Sequence, residues 1–153
     1  MLINAYNIKK ESNTKYIAES ISDICNNGDV IALSGELGSG KSTFAKYFIK
    51  NLIKANSVPS PSYNILLTYN SKNKTIYHMD AWRIKSENEA LDLGISEMFE
   101  KSIFIIEWAE KIKNIIPSNS LKIRIKIEKN KRTLLIEGNV SWKKRLKSLI
   151  SND

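Results

Sequence analysis

A chain of 153 residues is the size of one ordinary domain, long enough to bury a core without disulfides or a structural metal. Its 42% hydrophobic and 26% charged residues are those of a soluble globular protein, and no window offers the ~20 apolar residues of a membrane-spanning helix. One cysteine and one histidine exclude an internal disulfide and a Cys/His zinc site, while a net charge of +8 suits a polyanionic partner but follows equally from a lysine-rich composition, so it decides nothing alone.

The N-terminal stretch MLINAYNIKKESN lacks a signal-peptide core and cleavage site, which predicts a cytoplasmic protein, and residues 2–8 predict a first strand. Ile17, Ala18, Ile21, Ile24 and Cys25 then recur at helical spacing behind the candidate caps Ser12 and Asn13, and Asn26-Asn27-Gly28 predicts a glycine stop. Cys25 falls on the apolar face and reads as a small buried hydrophobe. Residues 30–34 (VIALS) form a short apolar strand that runs into a glycine-rich turn, and residues 42–52 are again helical in pattern. After Pro59 and Pro61, residues 65–69 and 75–80 read as a hairpin around the polar turn 70–73. Ser86-Glu87-Asn88-Glu89 has the spacing of a capping box and opens a short helix closed by Gly94. Residues 103–106 (IFII) form a buried strand that ends at Glu107-Trp108, followed by a helix to Ile116 and a stop at Pro117. Leu121, Ile123, Ile125 and Ile127 alternate with Lys122, Arg124 and Lys126 in a half-exposed strand that turns at Asn130-Lys131 into residues 134–137. A final helix, residues 141–150, carries a basic outer face. The pattern predicts one α/β domain over residues 1–153, with a mainly parallel or mixed central sheet flanked by helices.

Gly35-Glu36-Leu37-Gly38-Ser39-Gly40-Lys41-Ser42 fits G-x-x-x-x-G-K-[ST] and stands between strand and helix, the context this motif requires. Its glycines let the backbone curl so that successive N–H groups, among them those of Gly38, Ser39 and Gly40, point at phosphate oxygens, and the helix N-terminus adds its dipole. Lys41 is expected to reach the β- and γ-phosphates of ATP, Ser42 to ligate Mg²⁺ and Thr43 to touch the α-phosphate. Such a loop needs carboxylates across the site, and Asp80 and Glu107 both end strands; four apolar residues before Glu107 have the shape of a Walker B strand. In an extended strand, His78, Asp80 and Trp82 would share one face and turn a whole row to the nucleotide. The bland alternatives are a hydrogen-bonded His78 that orients the strand end, packing roles for Trp82 and Trp108, and a surface Arg83.

Taken together, G-E-L-G-S-G-K-S-T, V-P-S-P-S-Y at residues 58–63, Y-H-M-D-A-W-R at 77–83, L-G at 93–94 and I-I-E-W at 105–108 resemble, in order and spacing, the TsaE (YjeE) family. That family is the P-loop ATPase of bacterial threonylcarbamoyladenosine synthesis on tRNA. The resemblance implies that Lys41, Ser42 and Thr43 contact phosphate and Mg²⁺, that Asp80 is an acid at the nucleotide, and that Glu107 is the Mg²⁺-side, water-positioning acid. It also implies that Glu11 and Thr14, before the first helix, lie near the adenine and that Arg132 lies near the nucleotide, with TsaD and TsaB as partners and tRNA reached through their complex. Two departures stand out: Ser62 where the family usually has Thr, and Trp82 where it usually has Tyr, which leaves a tyrosine hydroxyl there without a counterpart.

Two other classes compete. A small-molecule kinase would bring a cluster of arginines, whereas Arg83, Arg124, Arg132 and Arg145 are scattered. A nucleotide-gated RNA-binding module would use the basic stretch from Lys122 to Lys147, which lacks the interleaved aromatics of a base-stacking surface.

Overall fold

The computed structural model describes residues 1–59 and 64–150. Its strands are β1 (Leu2–Ile8), β2 (Val30–Ser34), β3 (Leu66–Ser71), β4 (Lys74–Asp80), β5 (Ile103–Glu107), β6 (Leu121–Glu128) and β7 (Lys131–Glu137). Its helices are α1 (Glu11–Asp23), α2 (Lys41–Ile53), α3 (Glu87–Asp92), α4 (Ile95–Met98), α5 (Val140–Arg145) and α6 (Lys147–Ile150). The last four residues of the Val58–Tyr63 segment, including Ser62, lie outside the described residues.

The strands form a seven-stranded sheet in the order β1-β7-β6-β2-β5-β4-β3. Its centre, β6-β2-β5-β4, is parallel, and antiparallel pairings add β7 and β1 at one edge and β3 at the other. β5 is buried at every position, as a central parallel strand covered on both faces must be, which is why its sequence is an unbroken apolar run up to Glu107. β6 instead buries Leu121, Ile123 and Ile125 and exposes Lys122, Arg124 and Lys126, so helices cover only one of its faces. On that face Ile17, Ile21, Phe44, Phe48, Ile31, Ile105 and Trp142 build the larger core, where α1 and α2 pack on each other and on the sheet. On the other face a smaller core joins Met79, Phe104 and Ile106 to Ala90, Ile95 and Phe99 of the α3–α4 region.

Local chemistry moves several predicted boundaries. α1 begins at Glu11, ahead of both predicted caps, because Asn13 works from inside the helix: its Oδ1 accepts the N–H groups of Lys9 (3.1 Å) and Lys10 (3.0 Å). Glu11 and Thr14 therefore lie within the helix, not before it. α1 ends at Asp23, and Gly28 (φ 101°) serves a later turn whose N–H donates to Ser102 O (2.8 Å). Gly94 (φ 79°) both closes α3 and opens α4, a helix the sequence pattern did not predict. The predicted helix to Ile116 is only a 3-10 turn at Ala109–Ile112, because Glu87 takes the N–H (3.0 Å) and side-chain amide (3.3 Å) of Asn114 and draws the chain aside.

The β6–β7 turn falls at Lys129 and Asn130, both at positive φ (47° and 62°), the two-residue connection that matches strand twist. The final helix is two, α5 and α6. Arg145 is not on the basic outer face: its guanidinium lies 3.9 Å from the Trp142 ring centroid and donates to Asp29.

Candidate functional site

Three parallel strands deliver their last residues to one edge of the sheet. The register pairs Leu33 with Glu107, Asp80 with Glu107, and Ser34 with Arg124. The glycine-rich loop leaves β2 at this edge and returns as α2. Its turns need glycine: Gly35 has φ 145°, and a Cβ there would stand 2.5 Å from the Ile125 carbonyl oxygen and 2.7 Å from Ser39 Oγ. Gly40, at φ 115°, is the N-cap from which α2 starts with Lys41. Ser39 is buried inside the loop, Gly38 is exposed, and Thr43 follows half-buried in the first turn of α2.

Lys41 is folded back into this loop. Its Nζ donates to the carbonyl oxygens of Gly35 (2.6 Å) and Glu36 (2.9 Å), reaches Ser39 Oγ at 3.4 Å, and lies 3.8 Å from the Trp108 ring centroid. Burial pushes the ammonium below the ordinary lysine range, against the opposing pull of Glu110, Glu107, Asp80 and Glu36. Trp108 itself takes a left-handed backbone (φ 58°, ψ 40°), an uncommon conformation for so bulky a side chain, and its ring packs against that of Trp82 at 4.4 Å between centroids.

Glu107 connects strand and loop. Ser42 Oγ donates to its Oε1 at 2.5 Å, and His78 Nε2 lies 2.6 Å from its Oε2. Burial alone would raise the Glu107 carboxyl, but hydrogen bonds from His78 and Ser42 and the nearby Lys41 charge bring it below the ordinary glutamate range. Asp80 behaves differently. Its Oδ1 accepts the Trp82 N–H at 2.9 Å, and burial followed by the adjacent Glu107 charge holds its carboxyl above the ordinary aspartate range.

That bond also ends β4. Residues Ala81–Arg83 form a 3-10 turn capped by Asp80, so the row of His78, Asp80 and Trp82 stops at Asp80, and Trp82 turns to the surface with 49% of its area exposed. An acid two residues ahead of the N–H it caps was the available sequence signal, and the strand pattern masked it.

Of the remaining predicted positions, Arg132 reaches the same loop. Arg132 Nη2 donates to Gly38 O at 3.1 Å, and Arg132 pairs across the sheet with Ile8, which leads into α1. Glu11, in the first turn of α1, accepts the Tyr47 hydroxyl at 2.6 Å, and Thr14 is buried. A cleft of about 430 Å³ flanks the loop, with Gly35, Glu36, Glu110 and Arg124 in its lining. Glu110 went unnoticed in the sequence, where an acid in a predicted surface helix carries no signal. No group of three or more His, Cys, Asp or Glu residues suited to a metal occurs among the described residues.

A lysine and a serine at the start of a helix that follows a glycine loop, with that serine bonded to the acid of the next strand, define the class of P-loop nucleotide-binding proteins. A family model described as "threonylcarbamoyl adenosine biosynthesis protein TsaE" matches residues 8–134. The chain belongs to the TsaE family. A Bacillus subtilis protein named tRNA threonylcarbamoyladenosine biosynthesis protein TsaE is 40% identical over 114 residues, 74% of this chain and 71% of its own. One of the same name from Rickettsia felis is 34% identical over 136 residues, 88% of this chain and 80% of its own. The crystal structure of Bacillus subtilis YdiB superposes with a TM-score of 0.80 at 28% identity, over 99% of this chain and 96% of that one. No helix among the described residues is long and apolar enough to cross a membrane.

Proposed function

We propose that this protein is a single-domain, Mg²⁺-dependent ATPase of the cytoplasm that hydrolyses ATP slowly by itself and serves, with TsaD- and TsaB-like partners, the threonylcarbamoyl modification of the adenosine beside the tRNA anticodon. The observation that carries this reading is the contact between Ser42 Oγ and Glu107 Oε1 at 2.5 Å, which joins the phosphate loop to the strand acid in a chain whose relatives bear the names of that pathway.

The residues suit the cofactor. Mg²⁺ prefers hard oxygens, takes only one or two from the protein and fills the rest of its shell with phosphate and water. Ser42 and Glu107 offer two such oxygens side by side, so the lack of a larger acidic cluster among the described residues is no objection. Bound Mg²⁺ would neutralise charge on the β- and γ-phosphates. The N–H groups of Gly38, Ser39 and Gly40 cradle the phosphates, Lys41 leaves its carbonyl contacts to reach them, and Thr43 meets the α-phosphate. Glu107 orients the attacking water, Asp80 senses the γ-phosphate end, and Arg132, Glu11 and Thr14 border the nucleoside side.

The test is reconstitution of tRNA modification from purified TsaD, TsaB and this protein, with the wild type or Lys41→Ala. Lys41→Ala is expected to weaken ATP binding by about 10- to 100-fold, the worth of a hydrogen bond to a charged group, and to abolish modification at ATP levels that support the wild type. Unchanged affinity by calorimetry would sink the phosphate-binding role, and modification that proceeds without this protein would sink the pathway.

A further inference from the structure

His78 is the chain's one histidine, and 1% of its side chain is exposed. It stands in β4 beside Ile105 of β5 and two residues from Ile76, both fully buried aliphatic side chains. Its Nδ1 is buried and has no hydrogen-bond partner among the described residues. An unpaired buried polar atom is costly, so packing alone would favour leucine or phenylalanine here. The imidazole gains one contact in exchange, the 2.6 Å approach of Nε2 to Glu107 Oε2. An ionised carboxylate has no proton to give, so Nε2–H is the donor. The two oxygens of Glu107 are thereby divided, Oε2 to His78 and Oε1 to Ser42.

We propose that His78 is the positioning residue for Glu107: its Nε2–H fixes one carboxylate oxygen so that the other is presented beside Ser42 at the phosphate loop. The inference rests on the reading of the site as an ATPase. Glutamate has rotatable bonds enough to swing off the loop, and a buried carboxylate without a donor is costly to hold. An N–H donor from the adjacent strand removes both problems. The hydrogen bond of His78 goes to Glu107 and not to the loop or Ser42, so it acts through Glu107, as the partners of metal-site carboxylates do.

Two measurements test this. Because the chain has one histidine, ¹⁵N NMR of the imidazole is free of overlap. The expected spectrum shows a proton on Nε2, with its signal displaced in Glu107→Gln. An Nδ1–H tautomer, or signals indifferent to Glu107→Gln, would overturn the proposal, and this arm needs no substitution at position 78. In steady-state hydrolysis, His78→Leu should lower kcat by about 10- to 100-fold while the KM for ATP stays within about threefold. His78→Gln, which keeps an N–H donor, should recover most of that loss. Equal losses in Leu and Gln variants, or a loss confined to KM, would overturn the role of His78 and leave the ATPase reading standing. A wild-type protein that hydrolyses no ATP with its partners present would instead sink the ATPase reading and this inference with it.

Discussion

Asp80 and Glu107 end neighbouring strands as register partners, yet their carboxylates are used differently. Glu107 spends both oxygens on other side chains, whereas Asp80 spends one on its own chain, at the Trp82 N–H. Their substitutions should therefore separate. Glu107→Ala is expected to retain ATP binding and lose hydrolysis by about 10²- to 10⁴-fold, the usual worth of a group that handles the attacking water. Asp80→Ala is expected to reduce both hydrolysis and tRNA modification; if it leaves both intact, the stretch from Tyr77 to Arg83 is only a strand end with a capped turn. Glu107 also has a consequence for stability. Its folded-state carboxyl lies below the ordinary glutamate value of 4.5, so the unfolded chain binds the proton more tightly. The stabilisation is complete above that value and disappears as pH falls through the lower, folded one. Urea unfolding between pH 7 and pH 3 should thus show a steeper acid loss in the wild type than in Glu107→Gln, and equal slopes would contradict the assignment.

At the scale of elements, α5 is held to the α1–β2 connection by one side chain. Arg145 donates through Nη1 to Asp29 Oδ1 (3.0 Å) and through Nη2 to Asp29 Oδ2 (2.5 Å) and Ile24 O (2.5 Å), with its guanidinium stacked on Trp142. The fork is bidentate and half-buried, so Arg145→Ala should destabilise the fold by about 1–3 kcal/mol while ATP affinity is unchanged, because the contact lies at the opposite end of β2 from the phosphate loop. Chemical denaturation alongside calorimetry checks both halves. This contact was illegible in the sequence, where Arg145 reads as one more cation on a basic helix, 116 positions from its partner. The same limit explains the other misses. The phosphate loop and the IFII strand carry their own local patterns, glycine spacing and a continuous apolar run, so their positions were readable from neighbours alone. The end of β4 and the short turn after Trp108 depend on a particular hydrogen bond, from Trp82 to Asp80 and from Asn114 to Glu87. Each overrode a propensity that pointed elsewhere. The Ser42–Glu107–His78 chain is intermediate: its residues were singled out, but strand register alone could not reveal that His78 serves Glu107 rather than the nucleotide.

At the scale of the whole molecule, the question is what speeds the chemistry. An arginine that reaches the transferring phosphate is worth ~10³ to 10⁵ in rate in P-loop enzymes. Here Arg145 is spent on Asp29 and Arg132 on the Gly38 carbonyl, while Arg83 and Arg124 are exposed. The isolated protein is therefore expected to be a slow ATPase, and hydrolysis should rise when TsaD and TsaB are added. Phosphate transfer to a metabolite, or fast turnover by the protein alone, would favour a small-molecule kinase instead. Arg83 offers the sharper test. It stands on the 3-10 turn that Asp80 caps, next to half-exposed Trp82, whose ring packs on Trp108, and Trp108 in turn lies under Lys41. A partner that contacts Arg83 would thus press on a continuous stack ending at the phosphate-loop lysine. Arg83→Ala should leave ATP affinity within about twofold, since distant surface substitutions rarely exceed ±0.5 kcal/mol, but should reduce both stimulation by TsaD and TsaB and the yield of modified tRNA. Loss of ATP affinity in Arg83→Ala without its partners would move this residue from the partner surface into the nucleotide site.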